Sequence, residues 1–401
     1  MKRLFCLIIV ISFMLSISVY NRLNIPSLEI VAIATGNSIS YAIDSDGNLW
    51  AWGDNSNGQI GDSTVTTWHY SRSPLVREAM VYNNRHTPIK VLDSVVSVSV
   101  GFLHTMAIRT DGSLWAWGIN EAGEVGTFGN GTTESSYTPI KVMESVSAVS
   151  IGSGFVLAIK NDGSLWSWGR NDSGQLGDGT TEHRYAPVKI MDSVIYISAG
   201  IHHPMAITAD GGLWAWGCNR YGQLSDTVHL GRFAQTYPVQ ILDSVVSVSA
   251  DARHTMAVKS DGSLWVWGGN WVSQSRDVPV DEYEEYWLFR PTPTIIMDTV
   301  VSVSVGMSHA MAVREDGSLW AWGYDFNGLI GSVGNTANGM QVQFPIKIMD
   351  SVTMVSTSDR HTLVLKEDGS VWAWGSNMSG QLGDSTTVHR PRPVKIIAPK
   401  D

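Results

Sequence analysis

The octapeptide Asp111-Gly112-Ser113-Leu114-Trp115-Ala116-Trp117-Gly118 recurs, barely altered, seven times along the chain and limits its fold more than any other feature. The other copies have their turns at Asp46-Gly47, Asp162-Gly163, Asp210-Gly211, Asp261-Gly262, Asp316-Gly317 and Asp368-Gly369. Each turn is followed by two tryptophans separated by one small or branched residue, and these pairs hold fourteen of the 17 tryptophans. Successive turn glycines lie 65, 51, 48, 51, 55 and 52 residues apart, a period that suits one propeller blade per repeat.

Within the second copy, Pro88 to Val91, Val95 to Val100, His104 to Thr110 and Leu114 to Trp117 read as four short strands. Alternation gives each strand two unlike faces. Asp111-Gly112 forms the hairpin between the last two, because both residues accept the positive φ of a tight turn. Trp115 and Trp117 project together, opposite Leu114, Ala116 and Gly118. A bulky face on one blade can therefore fill the space left by the small face of the next, which gives the tryptophans a packing role.

From each Trp-x-Trp-Gly to the next Pro-led strand the connection spans 35, 21, 18, 21, 25, 22 and 18 residues, whereas two or three residues join that strand to the Val/Ser strand. The short link is expected to join neighbours within a blade and the long one to cross between blades. Ile30 to Ala34 begins the first copy without a Pro-led strand before it, and Pro393 to Ile396 ends the last without a Val/Ser strand after it. The expected fold is all-β: a seven-bladed propeller of four-stranded antiparallel blades, occupying residues 28–401 as one domain, with the ring closed by joining the N- and C-terminal strands.

Residues 1–19 differ in kind. Lys2 and Arg3 precede the uncharged apolar run Leu4 to Val19, the order of a secretory signal. Ser16 and Ser18 are small residues at which it could be cleaved, and the alternative is an uncleaved signal anchor. The expected location is secreted or extracytoplasmic, with Leu4 to Val19 as the only membrane contact. A chain cleaved near Val19 keeps Cys218 alone and forms no internal disulfide. The net charge of −10 with only 27 basic residues does not favour a nucleic-acid partner.

Five repeats carry an equivalent histidine, at His104, His203, His254, His309 and His361, replaced by Ile39 and Phe155 in the other two. One slot repeated around a ring argues for a structural role, bonding nearby backbone. Thirteen of the 37 acidic residues belong to the repeat's turns. Gly177-Asp178-Gly179-Thr180 lacks the alternating ligands and closing Glu of a calcium loop, and no nucleotide-cradling or zinc motif occurs. No catalytic residue, metal site or cofactor is expected, and the chain is not read as an enzyme. The first and fifth connections depart most from the repeat and hold all three remaining tryptophans. They make Trp68, Tyr70, Trp271, Tyr283, Tyr286, Trp287 and Phe289 the candidate partner-binding residues.

The order Gly-x-x-His-Thr-x-Ala-Ile, Asp-Gly-x-Leu-Trp-x-Trp-Gly, Asn-x-x-Gly-Gln-Leu-Gly resembles the repeat of the regulator-of-chromosome-condensation propeller family, whose superfamily also includes an exported β-lactamase inhibitor. The Gly-Gln-Leu-Gly tail is intact at Gly174 to Gly177 and Gly380 to Gly383, approximate at Gly58 to Gly61, Gly123 to Gly126, Gly222 to Ser225 and Gly328 to Gly331, and lost in the fifth copy. The family scaffold hosts unrelated tasks. Its founding member is a nuclear exchange factor for a small GTPase, and a photoreceptor member carries Trp just after the repeat glycine, where this chain has Phe102, Ser153, Ile201 and Met307. The expected function is an exported, non-catalytic, protein-binding propeller with an unidentified protein partner. The alternatives are a guanine-nucleotide exchange regulator of a small GTPase and a surface enzyme or glycan-binding module.

Overall fold

The computed structural model describes residues 28–65, 67–69, 79–81, 83–122, 125–126, 128–225, 234–269, 289–332 and 340–398. Its frame is seven four-stranded antiparallel sheets arranged as a propeller, with two additional two-stranded ribbons. The second blade is typical. Its innermost strand is Val95–Val100, followed by His104–Arg109, Leu114–Gly118 and an outermost strand Ser136–Met143.

This composition corrects the expected blade. Each Pro-led strand is the fourth strand of the blade before it, so the long connection lies within a blade and the short link crosses to the next. The reason is lateral pairing. Lys141 lies opposite Trp115 and Ile140 opposite Ala116, so the strand after the long connection returns antiparallel to the Trp strand and satisfies its free edge. The short crossing works because its serine takes the left-handed conformation, with φ of 59° at Ser94 and 60° at Ser145. In the Asp-Gly hairpins the positive φ falls on glycine alone, 76° at Gly112, while Asp111 Oδ1 accepts from the Ser113 N–H at 2.9 Å.

Ring closure is corrected in the same way. The last blade is complete in itself, Arg390–Ile397 pairing with Val371–Gly375, and the first blade is Ile30–Thr35, Ile39–Asp44, Leu49–Gly53 and Arg85–Leu92. The terminal strands meet by packing instead of sharing a sheet: Ile30, Ile33 and Trp52 of the first blade are buried with Leu363, Leu365, Ile396 and Ile397 of the last. Two backbone–side-chain locks tie the same junction, Thr35 N–H to Ser356 Oγ at 3.0 Å and Ser40 Oγ–H to the Gln381 carbonyl at 2.7 Å.

The core is seven separate interblade cores. Leu49 and Ala51 of the first blade meet Trp115 and Trp117 of the second, Leu114 and Ala116 of the second meet Trp168 of the third, and the pattern continues to the last blade. The face assignment made from alternation is the observed one. The second tryptophan of every pair is fully buried, and the first is partly buried.

In the third blade the Asn-rich loop seals the core from above. The Asn171 side chain accepts from the Leu176 N–H at 2.9 Å, which brings the Gln175 carbonyl within 3.1 Å of the Trp216 indole N–H in the next blade. Gly177 completes the seal, because a Cβ there would lie 2.8 Å from that indole and its φ is +77°. Asp178 accepts from Asn171, Thr180 and Arg184, and against the opposing effect of burial those bonds hold its carboxyl below the usual range.

Candidate functional site

The propeller has two faces. The turn face carries the Asp-Gly hairpins and short interblade links, and the loop face carries the Gly-x-x-His loops and long connections. The innermost strands surround a central cavity of about 410 Å3. Its wall is stitched by serine hydroxyls, each accepting a backbone N–H of the next blade: Ile151 to Ser99, Ala199 to Ser150, Ala250 to Ser198, Val305 to Ser249, Thr357 to Ser304 and Thr35 to Ser356, at 2.9 to 3.2 Å. The seventh position is Ala34, which has no hydroxyl to offer Val100. These serines therefore tie each blade to the next around the ring.

All five repeat histidines are buried. The expected structural role stands, but the partners differ. His203 Nε2 meets Thr255 Oγ1 at 3.1 Å and His361 Nε2 meets Ser40 Oγ at 2.6 Å, each hydroxyl lying on the next blade. Thr255 and Ser40 give their single proton to the carbonyls of Gln223 and Gln381, so each histidine nitrogen is the donor. His104 Nε2 and His254 Nε2 have no partner among the described residues, and the blades after them carry Val156 and Ala310 in the hydroxyl slot. Burial pushes these rings down, to about 4 for His104 and His254 and about 3 for His203, His309 and His361. His361 also meets Ser358 Oγ at 3.1 Å through Nδ1. Its two partners are hydroxyls, and among the described residues no carboxylate bonds the ring, so the group is not arranged as a Ser-His-Asp triad.

At the loop-face mouth of the cavity the sequence leaves its pattern twice. Asp251 stands where most repeats have glycine, and Asp359 stands one place beyond the equivalent Ser358; both line the cavity. Burial and then the charge of Asp359 push the Asp251 carboxyl well up, and burial raises Asp359. Asp359 accepts the Met307 N–H at 3.1 Å. Among the described residues no group of three or more His, Cys, Asp or Glu is placed to hold a metal ion.

Beside this mouth lies a concavity of about 850 Å3 whose lining includes Ile201, His202, Tyr221, Arg253, Met307 and Phe326. The Arg253 guanidinium lies 4.4 Å from the centre of the Tyr221 ring, a cation–π arrangement that holds both side chains at the rim. Met307 and Phe326 are 43% and 51% exposed, and Phe102 and Leu103 extend the apolar surface along the same face at 42% and 37%. His202, adjacent to buried His203, is pushed down by burial and then by Arg170. Ion pairing of Arg170 with Asp172 neutralises that edge.

Of the sequence candidates, Trp68 falls in the short strand Thr67–His69 and Phe289 opens the outer strand Phe289–Met297. Tyr70, Trp271, Tyr283, Tyr286 and Trp287 lie outside the described residues. The fifth connection is anchored on the loop face, where Gly269 pairs with Phe289 and donates its N–H to the Arg253 carbonyl at 2.7 Å. Tyr221, Arg253 and Phe326 were not singled out from sequence, because they are scattered over three repeats and none breaks a motif. Asp251, in place of the repeat glycine, was a readable signal.

These features define a closed seven-bladed repeat propeller with a mixed apolar and charged loop face. The chain belongs to the RCC1-like domain family: the RCC1-like domain model matches residues 17–286, and regulator of chromosome condensation (RCC1) repeats match residues 300–329, 352–381 and 368–401. It is similar to the ultraviolet-B receptor UVR8 of Arabidopsis thaliana, at 31% identity over 387 residues covering 93% of this chain and 82% of that protein. Among solved structures, human WBSCR16 superposes with a TM-score of 0.71 at 20% identity over 87% of this chain and 93% of that one. Prp20p from Saccharomyces cerevisiae, a structure described with its binding to Gsp1p and histones, gives 0.67 at 22% identity over 85% and 84%. At those identities the two structures establish the shared fold alone.

Proposed function

We propose that the chain is a non-catalytic, protein-binding propeller that works outside the cytoplasm and engages its partner through the loop face. The observation that carries this reading is the concavity lined by Ile201, Tyr221, Met307 and Phe326. Exposed aromatic and thioether side chains beside a cation–π pair are the composition of interface anchors. Trp271, Tyr283, Tyr286 and Trp287, in the connection that leaves Gly269 beside Arg253, are proposed as further anchors, and the acidic residues among them in sequence, Asp277, Asp281, Glu282, Glu284 and Glu285, favour a basic partner.

The test compares captured partners of the native chain with those of a Tyr221→Ala/Met307→Ser variant and a Trp271→Ala/Trp287→Ala variant. Both should melt near the native temperature and lose the same partner. Retention of that partner by the first variant would remove the concavity from the binding surface. Fractionation supplies the second arm: recovery of the native chain in the cytoplasm would refute export. The exchange-regulator alternative draws no residue-level support from the loop face, and catalysis of nucleotide exchange on a purified small GTPase would revive it.

A further inference from the structure

On the turn face, the second residue of every innermost strand is the extra residue of a β-bulge. Pairing passes from Val95 opposite Arg109 to Ser97 opposite Ile108 and skips Val96. The same skip falls at Val31, Ser147, Ile195, Val246, Val301 and Thr353. A bulge turns its extra side chain away from the ladder, and here the result is exposure: 49% at Val31, 55% at Val96, 62% at Ile195, 54% at Val246 and 53% at Val301. None of the seven lines the central cavity. They form an annulus around its turn-face mouth, aliphatic in five blades, although Ser147 and Thr353 show that the position accepts a hydroxyl.

The surrounding surface holds no excess of positive charge. Lys90, Lys141, Lys189 and Lys347 each pair with the carboxylate three residues on, at 2.5 to 2.7 Å, and the Asp-Gly aspartates lie on the same face. The chain also enters the propeller on this face. Ile30 pairs with Asp44 at the turn-face end of the first blade, and the next residue, Val31, belongs to the annulus. Eight residues separate the apolar run Leu4 to Val19 from Leu28, and eight extended residues reach at most about 28 Å.

We propose that the turn face lies against a lipid bilayer, with Leu4 to Val19 as the tether and the aliphatic annulus as the surface that rests in the interface. This rests on the N-terminal run being an uncleaved anchor and is independent of which partner the loop face binds. The physical basis is the hydrophobic effect at short tether length. Paired lysines supply no net attraction to anionic headgroups, so the annulus alone would hold weakly, and the tether keeps it at the surface. The loop face then points away from the membrane, open to a partner.

The experiment uses the full chain carrying Cys6→Ser and Cys218→Ala, reconstituted into phosphatidylcholine vesicles doped with chain-brominated lipid. A fluorescent label is placed through Val246→Cys, through Thr353→Cys as a second annulus site at a polar position, or through Met378→Cys on the loop face. Quenching should be severalfold stronger at the two annulus sites than at Met378 and should persist in high salt. Equal quenching at all three sites, or none at the annulus, would overturn the proposal. So would concentration-dependent burial of the annulus label without lipid, which would assign the surface to a second copy, or a mature N-terminus beyond Val19. Partner capture by the loop face is read separately, so loss of membrane apposition leaves that reading standing.

Discussion

The indole N–H of Trp117 donates a 2.7 Å hydrogen bond to the carbonyl oxygen of Gln59, in the blade before it. The same relation joins Trp216 to Gln175 and Trp267 to Gln223, so at these three junctions the Gln of one repeat's loop caps the tryptophan of the next. Replacing Trp117 with Ala should therefore destabilise by roughly 3 to 5 kcal/mol, the cost of emptying a buried large aromatic site. Trp117→Phe keeps most of the volume and leaves the Gln59 carbonyl one donor short, at about 1 to 3 kcal/mol. Urea denaturation of both variants checks the pair, and a near-neutral Trp117→Ala would refute the interblade packing.

The serine ring has its gap at Ala34. Ala34→Ser should supply the hydroxyl that the other six junctions have and stabilise by up to about 1 kcal/mol, while Ser150→Ala should cost about 0.5 to 1.5 kcal/mol. Thermal unfolding reads both. A destabilised Ala34→Ser would show that the junction of the first and second blades is too tight for the hydroxyl.

Acidification should weaken the protein before most of its carboxylates protonate. The five buried histidines are held neutral, at about 4 or about 3, against about 6.5 in the unfolded chain. Between those values the unfolded state binds more protons, so stability falls as pH drops below about 6.5, with a limiting slope near 1.4 kcal/mol per pH unit for each histidine. The raised carboxyls of Asp251 and Asp359 oppose the trend, because they take up protons first in the fold. Urea midpoints at neutral and mildly acidic pH should fall, and His254→Leu should flatten the profile. An unchanged slope in that variant would show that His254 does not contribute to it.

Ending the chain at Arg392 removes Ile396 and Ile397 from the core shared by the first and last blades. Loss of a buried isoleucine costs roughly 2 to 5 kcal/mol, and the edge of Val371–Gly375 loses its partner strand as well. Amide exchange should lose protection in Val371–Gly375 while the strand pairing of Ile30–Thr35 survives. The opposite pattern would restore a ring closed by a shared sheet.

The sequence by itself determined the number of blades, their strand count and the inward faces, because those follow from local periodicity: a Trp-x-Trp strand has two unlike faces whatever surrounds it. It could not say which strand belongs to which blade. Pro88 to Val91 has a short link on one side and a long connection on the other, and only lateral hydrogen bonding of Ile89 and Lys90 to Ala51 and Trp50 settles that it closes the first blade. The same limit hid the candidate site. Tyr221, Arg253, Met307 and Phe326 belong to three different repeats, and only the closed ring brings them to one concavity. The histidines show both contributions at once. Their recurrence identified a structural slot, whereas the hydroxyls that His203, His309 and His361 meet lie about fifty residues onward or at the other end of the chain, contacts that exist only once the blades pack.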